Sequence, residues 1–245
     1  MIIGKFNLQS QTRLLDQAQK IQLNKDLFTE VAAKYDLVTR LLSFGRDHSW
    51  KLYLVRTLPT MQNPKCLDLA CGTGDISRLI AKKYPEGSCV GLDLTEEMLK
   101  FAQAKSSPCN LDYVQGNMQS LVYLDETFDL ITGGYALRNS PNLDLSLKEI
   151  KRVLKVGGVA GFLDFSKSSN KYYQKICLFV LRFWGTFWGV LLHGDGDVYG
   201  YLADSLDKYP TRDELHKKFS DNGFILLREK LVFGGMLAIS VLRKK

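Results

Sequence analysis

The stretch Asp68-Leu69-Ala70-Cys71-Gly72-Thr73-Gly74-Asp75 constrains this chain more than any other. It follows residues 66–70, a short apolar run that suits a buried strand, and precedes residues 76–84, which read as a helix. Gly72 and Gly74 let the backbone approach a ligand closely. A second strand is expected over residues 89–94, and Asp93 falls 19 residues after Gly74. A carboxylate at the end of that strand is placed to hold a ribose hydroxyl, so a nucleoside-containing ligand is expected.

Two kinds of ligand compete for such a loop. A dinucleotide needs a third glycine and sets its pyrophosphate on the helix N-terminus. Here the third position is Ser77, and Asp75 stands where phosphates would sit, which is repulsive. S-adenosyl-L-methionine carries no phosphate but bears a sulfonium and an ammonium. Carboxylates at Asp68 and Asp75 favour that cationic ligand.

The rhythm of the remaining chain fits this start. Further strands are expected over residues 111–115, 128–132 and 159–165, with a helix over 142–154 ending before Gly157-Gly158. Thr95 can cap another helix, with Glu96 and Glu97 at its positive end. Alternating strands and helices imply a mainly parallel sheet covered on both faces. After a helix over 211–222, residues 224–230 and 236–242 read as two antiparallel strands joined by a turn at Gly234-Gly235. The expectation is an α/β fold with a doubly wound, mainly parallel seven-stranded sheet whose last strand is antiparallel. Before the sheet, Leu14, Leu15, Ala18 and Ile21 recur at helical spacing. A second helix over 26 to about 42 would put Phe28, Val31, Ala32, Tyr35 and Val38 on one face.

Residues 166–210 break the rhythm and are rich in aromatics. An insertion there would wall off the carboxyl ends of the strands, where open α/β sheets bind ligands. Its apolar stretch over 176–192 contains Arg182 and, at 17 residues, is short of the ~20 that span a bilayer. The five cysteines include no C-x-x-C pair, so a reducing compartment fits, and neither a disulfide framework nor a metal site is expected. The start of the chain lacks the apolar core of a secretory signal, which points to the cytoplasm. A net charge of +7 permits an anionic partner, but the basic residues are scattered, and no nucleic-acid stripe is visible.

Several pieces together resemble one family. These are Ala33-Lys34-Tyr35-Asp36, Ser43-Phe44-Gly45, residues 67–75, Ala136-Leu137-Arg138-Asn139, residues 152–158, Asp164-Phe165-Ser166-Lys167, and Tyr199-Gly200-Tyr201-Leu202-Ala203-Asp204-Ser205. In this order they are similar to the ubiquinone/menaquinone biosynthesis C-methyltransferases, a group of class I S-adenosyl-L-methionine-dependent methyltransferases with a Rossmann-like fold. The resemblance spans roughly residues 26–242. It implies a single domain: residues 1–60 a helical cover, 65–165 the cofactor-binding core, 166–210 a lid, and 211–245 the last helix and two strands.

The resemblance also implies methylation of a ring carbon on a polyprenylated quinol, either a demethylmenaquinol or a 2-methoxy-6-polyprenyl-1,4-benzoquinol. Its cofactor contacts fall on Asp68, Gly72, Thr73, Gly74, Asp93, Leu94, Asn117, Met118 and Gly134. Gly134 replaces a frequent serine, and Asp47-His48 replaces the family's usual His-Arg order. Arg138 and Asn139 fall on the catalytic positions: Arg138 would lower the phenol pKa or order a water, and Asn139 would orient the ring or that water. Tyr35, Tyr201 and Ser205 would line the substrate pocket, tyrosine offering a flat apolar face and a hydroxyl.

His193, a lone histidine in the insertion, is a further candidate base, whereas Cys71 reads as a small filler. The insertion has two readings. Either Phe179, Phe183 and Phe187 pack as core, or Leu178, Phe179, Trp184, Phe187 and Trp188 meet a prenyl tail or the membrane interface, flanked by Lys167, Lys171, Lys175 and Arg182. The protein would then be cytoplasmic and peripherally membrane-associated. A homodimer stays open, as does a methyltransferase acting on another small-molecule or lipid acceptor.

Overall fold

In the computed structural model, residues 17–194 and 196–245 are described, without the side chains of residues 193 and 197–201. Leu14 and Leu15 thus fall outside the described residues, as do the side chains of His193 and Tyr201.

Seven strands form one sheet in the order β3-β2-β1-β4-β5-β7-β6. They are β1 (Lys65–Leu69), β2 (Ser88–Asp93), β3 (Leu111–Gln115), β4 (Phe128–Gly134), β5 (Leu154–Phe165), β6 (Phe224–Val232) and β7 (Leu237–Lys244). The first five pair in parallel, and β7 lies antiparallel between β5 and β6. Strand order reverses between β1 and β4, the place where open α/β sheets leave a crevice. The central strands are apolar runs buried on both faces, whereas edge strand β6 alternates between half-buried and exposed positions.

Alternation along the strands divides the core in two. Cys66 and Leu130 face one layer, with Trp50, Leu54, Ile76 and Ile80. Leu67, Leu69 and Ile131 face the other, with Leu27, Val31, Val38, Leu147, Leu181 and Leu206. Helices α1 (Gln17–Val31), α2 (Tyr35–Leu42), α5 (Glu96–Gln103) and α6 (Leu143–Val153) contribute to this second layer. Helix α4 (Asp75–Lys83) belongs to the first.

The N-terminal cover departs from the sequence reading in two ways. Asp26 does not begin a helix: it accepts a 2.7 Å hydrogen bond from Gln22 inside the continuous α1. A helix absent from that reading, α3 (Asp47–Thr57), lies between α2 and a loop bracketed by Pro59 and Pro64. Its buried positions are Asp47, Trp50, Lys51, Leu54 and Val55, a regular helical face. Two of those positions are charged, and Lys51 Nζ sits 2.5 Å from Asp47 Oδ2, so an ion pair hides the apolar period.

The insertion forms α7 (Lys171–His193) and α8 (Asp197–Lys208), which pack on each other. Asn170 caps α7 by accepting from the Tyr172 and Tyr173 N–H groups, and Gly194 ends it at φ +69°. Arg182 pairs with Asp204, and Lys34 reaches the Leu192 carbonyl. Phe44 stacks on Trp184 with ring centroids 5.3 Å apart, joining the lid to the cover. The insertion is therefore a two-helix wall set against α2 and against the turn at Leu137–Asn139. Helix α9 (Arg212–Asp221), opened by a capping box between Thr211 and Glu214, leads into β6.

Candidate active site

The loop after β1 holds three residues at positive φ: Ala70 (+48°), Gly72 (+55°) and Gly74 (+80°). Such a backbone needs fixing, and two aspartates supply it. Asp93 Oδ2 accepts the Gly72 N–H at 2.7 Å, while its Oδ1 accepts the Thr95 N–H at 2.9 Å. Below the loop, Asp68 accepts the hydroxyls of Ser77 (2.6 Å) and Thr132 (2.7 Å). The N-terminal cover clips on from the side: Thr73 Oγ1 donates to Asp36 at 2.6 Å, and Lys105 bridges Asp36 and the Thr73 carbonyl.

Around this loop lies a cavity of about 690 Å³ that opens to solvent. Of the residues singled out by sequence, Gly72, Asp93, Leu94, Asn117, Met118, Gly134, Tyr35 and Asn139 line it. Asp68, Thr73 and Gly74 do not; they hold the loop from behind. Asp75 does not face the cavity either. It sits 3.0 Å from Lys51 Nζ and 2.6 Å from Arg78 Nη2, with Lys105 3.6 Å away, so its charge is matched within the protein. Cys71 is absent from the lining, and burial pushes its thiol well up from the usual range, which leaves it a protonated filler.

The acid that faces the cavity is Asp93, 7% exposed, with its carboxyl pushed up by burial and pulled back by backbone N–H groups. The Gly72, Thr95 and Leu94 N–H groups and the Thr95 hydroxyl tie this carboxyl, which stays on the cavity wall. Among the described residues, the lining contains one acid and no Lys or Arg. That donor set suits a nucleoside with a cationic tail and gives nothing to a pyrophosphate. At Gly134 an added Cβ would meet Ile76 Cδ1 at 2.6 Å; Ile76 fills the room that a serine would need.

A second cavity, about 800 Å³, adjoins the first. Its walls carry Phe28, Tyr35, Trp50, Tyr135, Phe165 and Phe233, with Leu181 and Leu202 from the lid. Phe28, Tyr35, Tyr135 and Asn139 line both cavities. Arg138 reaches this one from a buried position, with its guanidinium 4.7 Å over the Phe165 ring. Its Nη1 donates to Ser205 Oγ at 2.6 Å, and its Nε lies 3.9 Å from Asp164. Ser205 thus meets Arg138, and it lines a third cavity that also contains Arg138 and Asn139. Asn139 is held by donating to the Tyr135 carbonyl at 2.8 Å, while its own carbonyl accepts from Asn24. Tyr135, which sequence reasoning missed, donates its hydroxyl to Asp47 at 2.8 Å across 88 positions of chain.

A doubly wound sheet with a phosphate-free nucleoside cavity at its switch point defines a Rossmann-like class I methyltransferase. Solved structures share the fold: an S-adenosylmethionine-dependent methyltransferase from Thermotoga maritima superimposes with a TM-score of 0.65 at 15% identity, covering 91% of this chain and all of that one. The YcgJ protein of Bacillus subtilis superimposes with a TM-score of 0.61 at 18% identity, covering 81% of this chain and 99% of that one. Residues 16–244 match the ubiE/COQ5 methyltransferase family, and the chain belongs to it. The ubiquinone/menaquinone biosynthesis C-methyltransferase UbiE of Stenotrophomonas maltophilia (strain K279a) is 38% identical over 225 residues, 90% of this chain and 89% of that protein. The one from Xylella fastidiosa (strain 9a5c) is 37% identical over the same span. The chain is thus a methyltransferase with S-adenosyl-L-methionine as methyl donor.

The loop's support has a pH signature. Burial lifts the Asp68 carboxyl from 3.8 to about 6, against the pull of its two hydroxyl donors. Between those values the folded protein holds a proton that the unfolded chain has released. The contribution is complete below the unfolded value and is lost as pH rises through about 6. Asp68→Asn stays neutral throughout and can still bond both hydroxyls. The melting temperature of the variant minus that of the wild type is expected to grow as pH rises from about 4 to 7. A constant difference across that range would refute the assignment.

Proposed function

We propose that this methyltransferase transfers its methyl group to a ring carbon of a polyprenylated quinol, with the ring in the aromatic cavity and the tail leaving along the lid helices. The observation that carries the reading is the shared wall. Tyr35, Tyr135 and Asn139 bound both cavities, so a flat ring on one side meets a methyl donor on the other. Flat aromatic faces from Tyr35, Trp50, Tyr135 and Phe165 match a quinol ring, and dry walls exclude the water that would compete. Arg138 supplies a fixed positive charge in an apolar site, which favours a phenolate over a phenol. Ser205, Asp164 and Asn139 position that guanidinium and the neighbouring wall.

The relatives named for ubiquinone and menaquinone biosynthesis support the same acceptor class. The direct test supplies labelled S-adenosyl-L-methionine with demethylmenaquinol and with the 2-methoxy-6-polyprenyl-1,4-benzoquinol, side by side under reducing conditions. Label is expected in at least one quinone, with kcat about 10²-fold lower in Arg138→Ala. Label in neither, with the donor still bound, would move the activity to another acceptor.

A quinol with a polyprenyl tail resides in a bilayer, and α7 offers a surface for one. Ile176, Phe179, Val180, Phe183, Phe187, Val190 and Leu191 recur at helical spacing along its outer face, with Phe179 73% and Phe183 64% exposed. Trp184 and Trp188 turn inward and are half-buried, so the phenylalanines, not the tryptophans, form the outer stripe. The helix is long and apolar enough to cross a membrane by length and composition, with 22% of its most apolar window buried. Its packing on α8 and the Arg182–Asp204 pair favour a helix lying in the interface, with Lys171 and Lys175 at one end to meet anionic headgroups. Co-sedimentation with liposomes containing anionic lipid is expected to fall sharply in Phe179→Ser/Phe183→Ser. Unchanged co-sedimentation would refute the docking face.

A further inference from the structure

Helix α3 sets a buried acid beneath the ring cavity. Asp47, 8% exposed, is its first residue, and the Asp47 N–H donates to Ser43 Oγ at 3.1 Å. Its Oδ2 pairs with Lys51 at 2.5 Å, and Lys51 is braced in turn by Asp75 at 3.0 Å. Its Oδ1 accepts the Tyr135 hydroxyl at 2.8 Å. Tyr135 stands at φ +57°, a conformation that costs a bulky residue energy and persists only where neighbours enforce it. The Tyr135 N–H is tied to the Leu163 carbonyl at 2.7 Å. With the Tyr135 proton committed to Asp47, the phenolic oxygen keeps acceptor capacity, and Tyr135 is a wall residue of both cavities.

The other groups near this pair are poorly suited to take a proton. Arg138 has no acceptor atom. Asp164 accepts the Arg138 and Phe165 N–H groups and is not among the cavity's lining residues. Asp75 is held by Lys51 and Arg78. His48 is exposed, and His216 pairs with Glu229 at 2.8 Å, away from the cavity. Tyr35, on α2, lies near both Tyr135 and Lys51 and shares both walls. Asp47 thus sets a carboxylate opposite the Tyr135 hydroxyl.

We propose that Tyr135 and Asp47 form the proton exit for the acceptor's hydroxyl. The inference rests on the quinol reading above. The hydroxyl donates to Tyr135 Oη. As its O–H electrons enter the ring, that proton passes to Tyr135, and the Tyr135 proton passes to Asp47 Oδ1. The bound donor supplies an electrophilic methyl group: the ring carbon forms the new C–C bond, and the broken S–C pair stays on sulfur. The methylated ring then loses its C–H proton to water, and its oxygen recovers a proton from Asp47 through Tyr135. The pair ends as it began, with one proton released per turnover. Tyr135 is the group that touches the substrate; Asp47 acts through it, and Lys51 and Ser43 position Asp47.

The test uses the full chain and two readouts. Without any donor, calorimetry compares 4-methoxy-1-naphthol, which has one hydroxyl, with 1,4-dimethoxynaphthalene, which has none. The wild type is expected to prefer the naphthol by about 10-fold, the worth of one hydrogen bond to a polarised acceptor. Tyr135→Phe, which removes a single oxygen, is expected to abolish that preference, and Asp47→Asn to weaken it. In turnover, both variants are expected to lose about 10²-fold in kcat with the KM for the donor unchanged. A Tyr135→Phe enzyme that keeps either the preference or near-wild-type kcat overturns the relay, while a quinol-methylating wild type leaves the underlying reading intact. A wild type that methylates no quinol overturns that reading instead, and the relay with it.

Discussion

One carboxylate joins the two loops on which the site is built. Asp93, at the end of β2, accepts the Gly72 N–H from the loop after β1 and the Thr95 N–H that opens α5. The loop after β1 has three residues at positive φ and would wander without that tie. Asp68 closes it from below through Ser77 and Thr132, and Thr73 fastens it to the N-terminal cover through Asp36. The cavity between the carboxyl ends of β1, β2 and β4 exists because these bonds hold its rim.

Charge is distributed so that each of the two adjoining cavities keeps one sign. Among the described residues, the cofactor side presents Asp93 and no base. The neighbouring side presents Arg138 among aromatic rings. The remaining ions are matched internally: Lys51 lies between Asp47 and Asp75, Arg78 beside Asp75, and Lys105 beside Asp36. Burial pushes such groups toward neutrality unless a partner is present, so these pairs are what permits charged residues under the site. For the proposed acceptor, methyl transfer from a sulfonium to a phenolate neutralises charge, so dry walls favour the transfer, while the positive charge of Arg138 offsets the cost of holding the anion there.

Much of this was legible in the sequence where the signal is local. The strand, the glycine loop and Asp93 follow from spacing within one β-α-β unit, and the structure places Gly72, Asp93, Leu94, Asn117, Met118 and Gly134 around one cavity. Long-range pairing was not legible. Helix α3 was hidden because two of its buried positions are the ion pair of Asp47 and Lys51. The charge on Asp75 looked available for a ligand, yet Lys51 from α3 takes it up. Tyr135 sat unremarked among glycines because its partner lies 88 residues away. On α7, an aromatic-rich run could not show which rings face out; packing on α8 turns Trp184 and Trp188 inward and leaves Phe179 and Phe183 exposed.

A ribose diol is expected to bond Asp93, the acid on the wall of the cofactor cavity. Calorimetry on the wild-type protein with S-adenosylhomocysteine and with its 2′,3′-dideoxyribose analogue tests this without disturbing the loop. The account predicts that removing the two hydroxyls weakens binding by at least about 10-fold, the worth of one or two charged hydrogen bonds. Equal affinity for the two ligands would place the ribose elsewhere and contradict the site.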